Sequence, residues 1–170
     1  GQHAKIQSEL DEAIGRVMAT GAFVKGPEVA AFAQELAEFT GSKHVIPCGN
    51  GTDALQIALM ALGIGPGDEV ITTGFTFIST VEVVALMGAK PVLVEVHPDT
   101  FTIDPEQVRA AITPRTKAIV PVHLFGQMAD MDALMDISEA SGVPIIEDNA
   151  QAIGAAWCGE ANRHGQSGTF

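Results

Sequence analysis

Apolar residues recur along this chain with two different periods. Ile6, Leu10, Ile14 and Val17 stand three or four apart, the stripe of an amphipathic helix that runs to about Thr20 and stops at Gly21. Pro27, suited to a first helical turn, opens a second helix with Val29, Phe32, Leu36 and Phe39 on one face, ended by Gly41. Beyond it the pattern changes to short apolar runs separated by helical stretches. Strands are predicted near 44–48, 69–73, 91–96, 117–122 and 143–147, and helices near 52–62, 78–87, 105–112 and 130–141. Gly65-Pro66-Gly67-Asp68 forms a loop before the second strand, and Asp104-Pro105 supplies an N-cap and a first-turn proline for the helix at 105. Strand and helix in alternation predict an α/β fold, a mostly parallel sheet with helices on both faces.

Composition narrows the function classes. With 170 residues, 46% of them hydrophobic, the chain can build the core of one domain, and it shows no internal repeat or linker. No apolar run approaches the length of a membrane span and no leader pattern opens the chain, so a soluble, cytoplasmic protein is expected. A net charge of −12 excludes the basic footprint of a nucleic-acid binder. Cys48 and Cys158 are widely spaced, and His3, His44, His97 and His164 show no ligand spacing, so neither a metal site nor a disulfide framework is expected. The chain begins at Gly1 and stops at Ser167-Gly168-Thr169-Phe170 after a polar, glycine-bearing stretch with no helix to close the domain, which is read as truncation at both ends.

The chemistry concentrates where apolar runs end. In open α/β sheets ligands bind outside the carboxyl ends of the strands. Val143-Pro144-Ile145-Ile146 runs into Glu147-Asp148-Asn149-Ala150-Gln151, a carboxylate followed three residues later by an amide. Residues 45–48 run into Gly49-Asn50-Gly51-Thr52-Asp53, 70–73 into Gly74-Phe75-Thr76-Phe77, and 118–122 into His123-Leu124-Phe125-Gly126-Gln127. Glycines before a helix expose N–H groups at its positive end, which makes Gly51 and Thr52 candidates for a phosphate ester. No third glycine follows at the spacing of a dinucleotide fingerprint, and no ribose-binding acid follows it, which disfavours a nicotinamide-dependent dehydrogenase. Neighbouring strand residues face opposite sides, so only one of Glu147 and Asp148 can point at a given ligand. His123, with an ordinary pKa near 6.5, is a candidate general acid or base, or equally a hydrogen-bonded support for its loop.

These phrases in this order resemble one family, the pyridoxal phosphate (PLP) dependent sugar aminotransferases of the DegT/DnrJ/EryC1/StrS group. The matching blocks are Gly26-Pro27-Glu28, Gly49 to Leu55, Gly67 to Ile71, Thr76-Phe77-Ile78-Ser79-Thr80, His123 to Gly126 and Glu147 to Gln151, and they span nearly the whole chain. The resemblance implies the fold type I PLP-dependent transferase architecture, with residues 1–170 forming the N-terminal and major part of the large domain and the C-terminal small domain absent. It implies an enzyme that aminates a nucleotide-linked keto-sugar from an amino-acid donor such as glutamate, working as a homodimer whose second subunit completes the site. Gly51 and Thr52 then meet the cofactor phosphate, Phe77 rather than Phe75 stacks on the ring, and Gln151 donates to the 3-oxygen. Asp148 pairs with the ring nitrogen and keeps it protonated; at about 4 Å and an effective dielectric near 20 the attraction is roughly 4 kcal/mol, about three pKa units before desolvation. The lysine that carries the cofactor as a Schiff base in this family lies beyond residue 170, and none of Lys5, Lys25, Lys43, Lys90 and Lys117 takes its place. The 170 residues alone are therefore expected to be inactive. The alternatives are the dehydratase branch of the family, in which histidine replaces that lysine, and a non-catalytic fragment.

Overall fold

A computed structural model describes residues 1–158 and the backbone of 164–166. The chain divides into two compact units, Gly1–Pro47 and Cys48–Phe170. The first holds two helices, α1 (Gln2–Thr20) and α2 (Pro27–Thr40), each closed by a left-handed glycine, Gly21 and Gly41. Both endings follow from residue type, since only glycine enters that conformation without a steric cost. Neither helix has a fully buried residue, and Ile14, Phe32 and Phe39 of the predicted stripes are exposed, as is Met18 beside them. Gly26 caps α2, and a Cβ built there stands well inside contact distance of the Ala22 carbonyl oxygen, so the turn between the helices requires glycine at this point.

The second unit runs α3 (Gly51–Ala61), β1 (Glu69–Thr73), α4 (Ser79–Leu86), β2 (Lys90–Val94), α5 (Pro105–Ala111), β3 (Thr116–Val120) and α6 (Met131–Ser141). The strands are parallel in the order β2-β1-β3. Alternation along them splits the core in two. Val70, Ala118 and Val120 pack with Leu55 and Leu59 of α3 and Val83 and Val84 of α4. Ile71 and Ile119 pack on the other face with Val108 of α5 and Leu134 and Ile137 of α6. The predicted parallel sheet covered on both faces is what forms, and Asp104 caps α5 as expected, accepting from the Glu106 N–H.

One predicted strand does not form, and another is interrupted. Residues 44–48 make no ladder bond among the described residues; Pro47 offers no N–H, and Ile46 is 79% exposed where a covered strand would bury it. Residues 143–147 do lie beside β3, but as isolated bridges at Ile119–Ile145 and Val122–Asp148. Their bonds share one register: Ile119 N–H to Pro144, Ile146 N–H to Ile119, Asp148 N–H to Pro121 and His123 N–H to Asp148. The missing rung is the one that Pro121 would donate to Ile146, and proline has no hydrogen to give. The segment is thus a fourth parallel strand with a single gap.

A short antiparallel pair, β4 (Ala156–Cys158) with β5 (His164–Gln166), follows where no strand was predicted. The closing stretch Ser167–Phe170, read as a truncated end, lies outside the described residues. No described helix is long and apolar enough to cross a membrane. At the amino ends of the strands, the buried Glu69 accepts from Thr113 Oγ1 at 2.6 Å, Arg115 Nη2 at 2.9 Å and Lys90 Nζ at 3.3 Å. Lys90 therefore stands at the sheet end opposite the predicted site.

Candidate functional site

The carboxyl ends of β1, β3 and the 143–148 segment, with the start of α3, enclose a cavity of about 290 Å³. Gly51, Thr52, Phe77, Asp148 and Gln151 all line it, whereas the remaining candidate, His123, does not; Leu55, Thr76, Ser79, Val122 and Ala150 complete its wall. That volume is at the small end of ligand cavities, which run roughly 300–1,000 Å³.

One end of the cavity is suited to an anion. Asn50 caps α3 by accepting from the Asp53 N–H at 2.9 Å, and the Asn50 carbonyl takes the Ala54 N–H. The N–H groups of Gly51 and Thr52 meet no protein acceptor among the described residues, as the first N–H groups of a helix must unless something outside the helix accepts from them. They point from the positive end of an eleven-residue helix, with the Thr52 hydroxyl beside them. The fold does not itself demand glycine at 51. Its φ is not left-handed and a Cβ built there meets nothing within 4 Å, so the missing side chain leaves open cavity rather than relieving a clash.

Elsewhere in the same cavity stands Asp148, 7% exposed. Its Oδ2 accepts from Thr80 Oγ1 at 2.7 Å and its Oδ1 from the Ala150 N–H at 3.3 Å. Glu147, one residue earlier, faces the other side of the sheet and pairs with His123 Nε2 at 2.8 Å, as strand alternation requires. His123 is fully buried, and its Nδ1 accepts from the Ala129 N–H at 3.1 Å. With Nδ1 accepting, Nε2 carries the proton and donates to Glu147, so both ring nitrogens are engaged by the protein. Gln151 has a fixed orientation too. Its Oε1 accepts from the Phe125 N–H at 2.8 Å, and because a backbone N–H can only donate, the Nε2 end of the amide is left as the donor group.

The two phenylalanines separate. Phe75 contacts Phe101 at 5.8 Å and, edge-on, Phe125 at 6.5 Å, and none of these three rings lines the cavity. Phe77 lines the cavity and is 68% exposed. Sequence reasoning missed Thr80 as the partner of Asp148, although the residue ends a block already singled out. It also missed the His123–Glu147 pair, which ties the end of β3 to the neighbouring segment.

This donor set fits pyridoxal phosphate: free helical N–H groups and a hydroxyl for a phosphate, an exposed ring for stacking, a buried carboxylate for a ring nitrogen and an oriented amide donor for an oxygen. Comparison with known proteins agrees. The model of the DegT/DnrJ/EryC1/StrS aminotransferase family matches residues 4–170. Over 159 residues the chain is 55% identical to UDP-2-acetamido-2-deoxy-3-oxo-D-glucuronate aminotransferase of Pseudomonas aeruginosa, covering 94% of this chain and 44% of that protein. The crystal structure of Streptomyces venezuelae DesV in complex with a ketimine intermediate superposes with a TM-score of 0.92 at 44% identity, covering 99% of this chain and 44% of that one. NtdA of Bacillus subtilis, solved with bound cofactor PMP, superposes with a TM-score of 0.85 at 39% identity, covering 88% of this chain and 34% of that one. The chain thus spans less than half the length of these relatives. Its α/β fold is the one those solved structures share, and the chain belongs to the DegT/DnrJ/EryC1/StrS aminotransferase family.

Proposed function

We propose that the full-length protein containing this chain is a pyridoxal phosphate-dependent aminotransferase that moves an amino group from an amino-acid donor such as glutamate to a keto-sugar linked to a nucleotide. The observation that carries this reading is the convergence in one cavity of the unpartnered N–H groups of Gly51 and Thr52 with the buried Asp148 carboxylate. When bound, the cofactor supplies an electron-withdrawing ring that stabilises negative charge on the carbon next to the amino nitrogen.

The chain's own residues have distinct parts in this proposal. Gly51 and Thr52 hold the phosphate; Phe77 covers one face of the ring and excludes water from it. Asp148 keeps a proton on the ring nitrogen, and the Gln151 amide donates to the oxygen at position 3. His123 has no ring nitrogen to spare for proton transfer, so its proposed part is to fix Glu147 and with it the strand end that carries Asp148. The substrate class is supported by the name of the Pseudomonas aeruginosa relative. Residues 1–170 are proposed as the N-terminal and major part of the cofactor-binding domain. The exposed apolar residues of α1 and α2 support a homodimer, since faces of this kind are ordinarily covered by a partner.

Asp148→Asn in the full-length protein tests the assignment. The amide preserves shape and cannot hold a proton on the ring nitrogen, so transamination falls by at least about a hundredfold more than in Glu147→Gln, a difference of roughly 2.7 kcal/mol in barrier. Equal losses in steady-state turnover would put the wrong carboxylate at the ring.

A further inference from the structure

Thr80 stands second in α4, in a first turn where a threonine hydroxyl ordinarily bonds to nearby backbone. Here it reaches across 68 positions of sequence and donates to Asp148 Oδ2 at 2.7 Å. Both side chains are buried. The bond is therefore charge-assisted and shielded from the water that would replace it at a surface. Among the described residues the other carboxylate oxygen has only the Ala150 N–H at 3.3 Å, a longer contact from the residue two along the chain. A local contact of that length leaves the carboxylate free to turn about its Cβ–Cγ bond, and the Thr80 hydroxyl is what opposes the turn.

We infer that Thr80 is a positioning residue of the proposed cofactor site: its hydroxyl sets the rotation of the Asp148 carboxylate and, through it, the grip on the cofactor's ring nitrogen. The inference rests on the pyridoxal phosphate reading above. A threonine needed here only to fill space is replaceable by valine, which keeps the shape and drops the hydroxyl. A threonine needed as a donor is replaceable by serine, which keeps the hydroxyl and drops the methyl group. The two substitutions thus have opposite expectations.

The test uses the full-length protein freed of cofactor and titrated with two probes, pyridoxamine 5′-phosphate and its 1-deaza analogue, in which carbon replaces the ring nitrogen. Binding is followed by protein fluorescence. Thr80→Val weakens pyridoxamine 5′-phosphate by about tenfold, the scale of one hydrogen bond to a charged group. Thr80→Ser stays within about twofold of wild type. The 1-deaza analogue, with no ring nitrogen to be gripped, binds Thr80→Val and wild type equally. If Thr80→Val does not fold, Thr80→Ala takes its place with the same split between the two probes.

Equal weakening toward both probes makes Thr80 a packing residue and overturns the inference, as does a Thr80→Ser variant as weak as Thr80→Val. Unchanged binding of pyridoxamine 5′-phosphate by Thr80→Val overturns the inference alone. A wild-type protein that binds neither probe overturns the cofactor reading and the inference with it.

Discussion

A side chain at position 51 meets nothing of the protein itself, so what it would obstruct is the cavity. Gly51→Ala is therefore expected to leave the fold intact and to stabilise it by about 0.4–1 kcal/mol through the lower entropy of the unfolded chain. The same change crowds the N–H groups proposed to hold the cofactor's phosphate. In the full-length protein it should weaken pyridoxamine 5′-phosphate while raising the urea midpoint; a gain in stability with unchanged binding would remove Gly51 from the phosphate site. Residues whose chemistry is local were legible in the sequence. Asp148 ends an apolar run, and Gly51 and Thr52 follow another just before a helix. Thr80 was not, because its bond to Asp148 crosses the sheet from a helix and leaves no mark in its own neighbourhood. Histidine at a strand end suggested proton transfer, and only the positions of Ala129 and Glu147 show that both ring nitrogens are engaged.

Helices were more legible than strands because helix ends are written in single residues. Asn50, Asp104 and Asp130 each accept from a first-turn N–H, and Gly21, Gly41 and Gly142 each follow a helix in the left-handed conformation. A strand depends on what runs beside it, and so 44–48, apolar enough to qualify, makes no ladder. Two glycines give this element-level view a test. Gly15 lies inside α1 with nothing within 4 Å of a built Cβ, so Gly15→Ala should stabilise by about 0.5–1 kcal/mol from helix propensity alone. Gly26→Ala instead forces the new methyl against the Ala22 carbonyl, and overpacking of this kind costs typically 1–3 kcal/mol. Chemical denaturation of the two variants side by side should move the midpoint in opposite directions. A shift of the same sign in both would mean that the turn before α2 yields more readily than its geometry implies.

At the scale of the whole molecule, the amino and carboxyl ends of the sheet carry charge for different purposes. Glu69 at the amino end is held down to about 2 from 4.5, first by the Thr113 hydroxyl, then by Arg115 and Lys90, with burial opposing. A carboxylate whose pKa falls on folding stabilises the fold above its unfolded value and loses that contribution as protons reach the folded form. Stability should decline as pH drops from about 4.5 toward 2, and Glu69→Gln should cost most at neutral pH and progressively less across that window. Denaturant unfolding of both forms from pH 7 to pH 3 checks it; a cost that is the same at every pH would mean Glu69 contributes through packing. The alternation of strand and helix announced this sheet, whereas the clamp at its amino end joins Thr113 to Glu69 across 44 positions and was not visible in any local pattern. The separation in sequence between Thr80 and Asp148 also has a consequence in time. The chain is synthesised from its amino end, and β1, β2 and β3 have all emerged by residue 120, while the carboxylate that faces the cavity comes 28 residues later (148 − 120). Pairing across such separations is slow, because loop closure precedes any reward from the contact. The sheet can begin to form before the site exists, and the ability to hold a ligand arrives only when the 143–148 segment docks, which makes ligand binding a late reporter of folding rather than an early one.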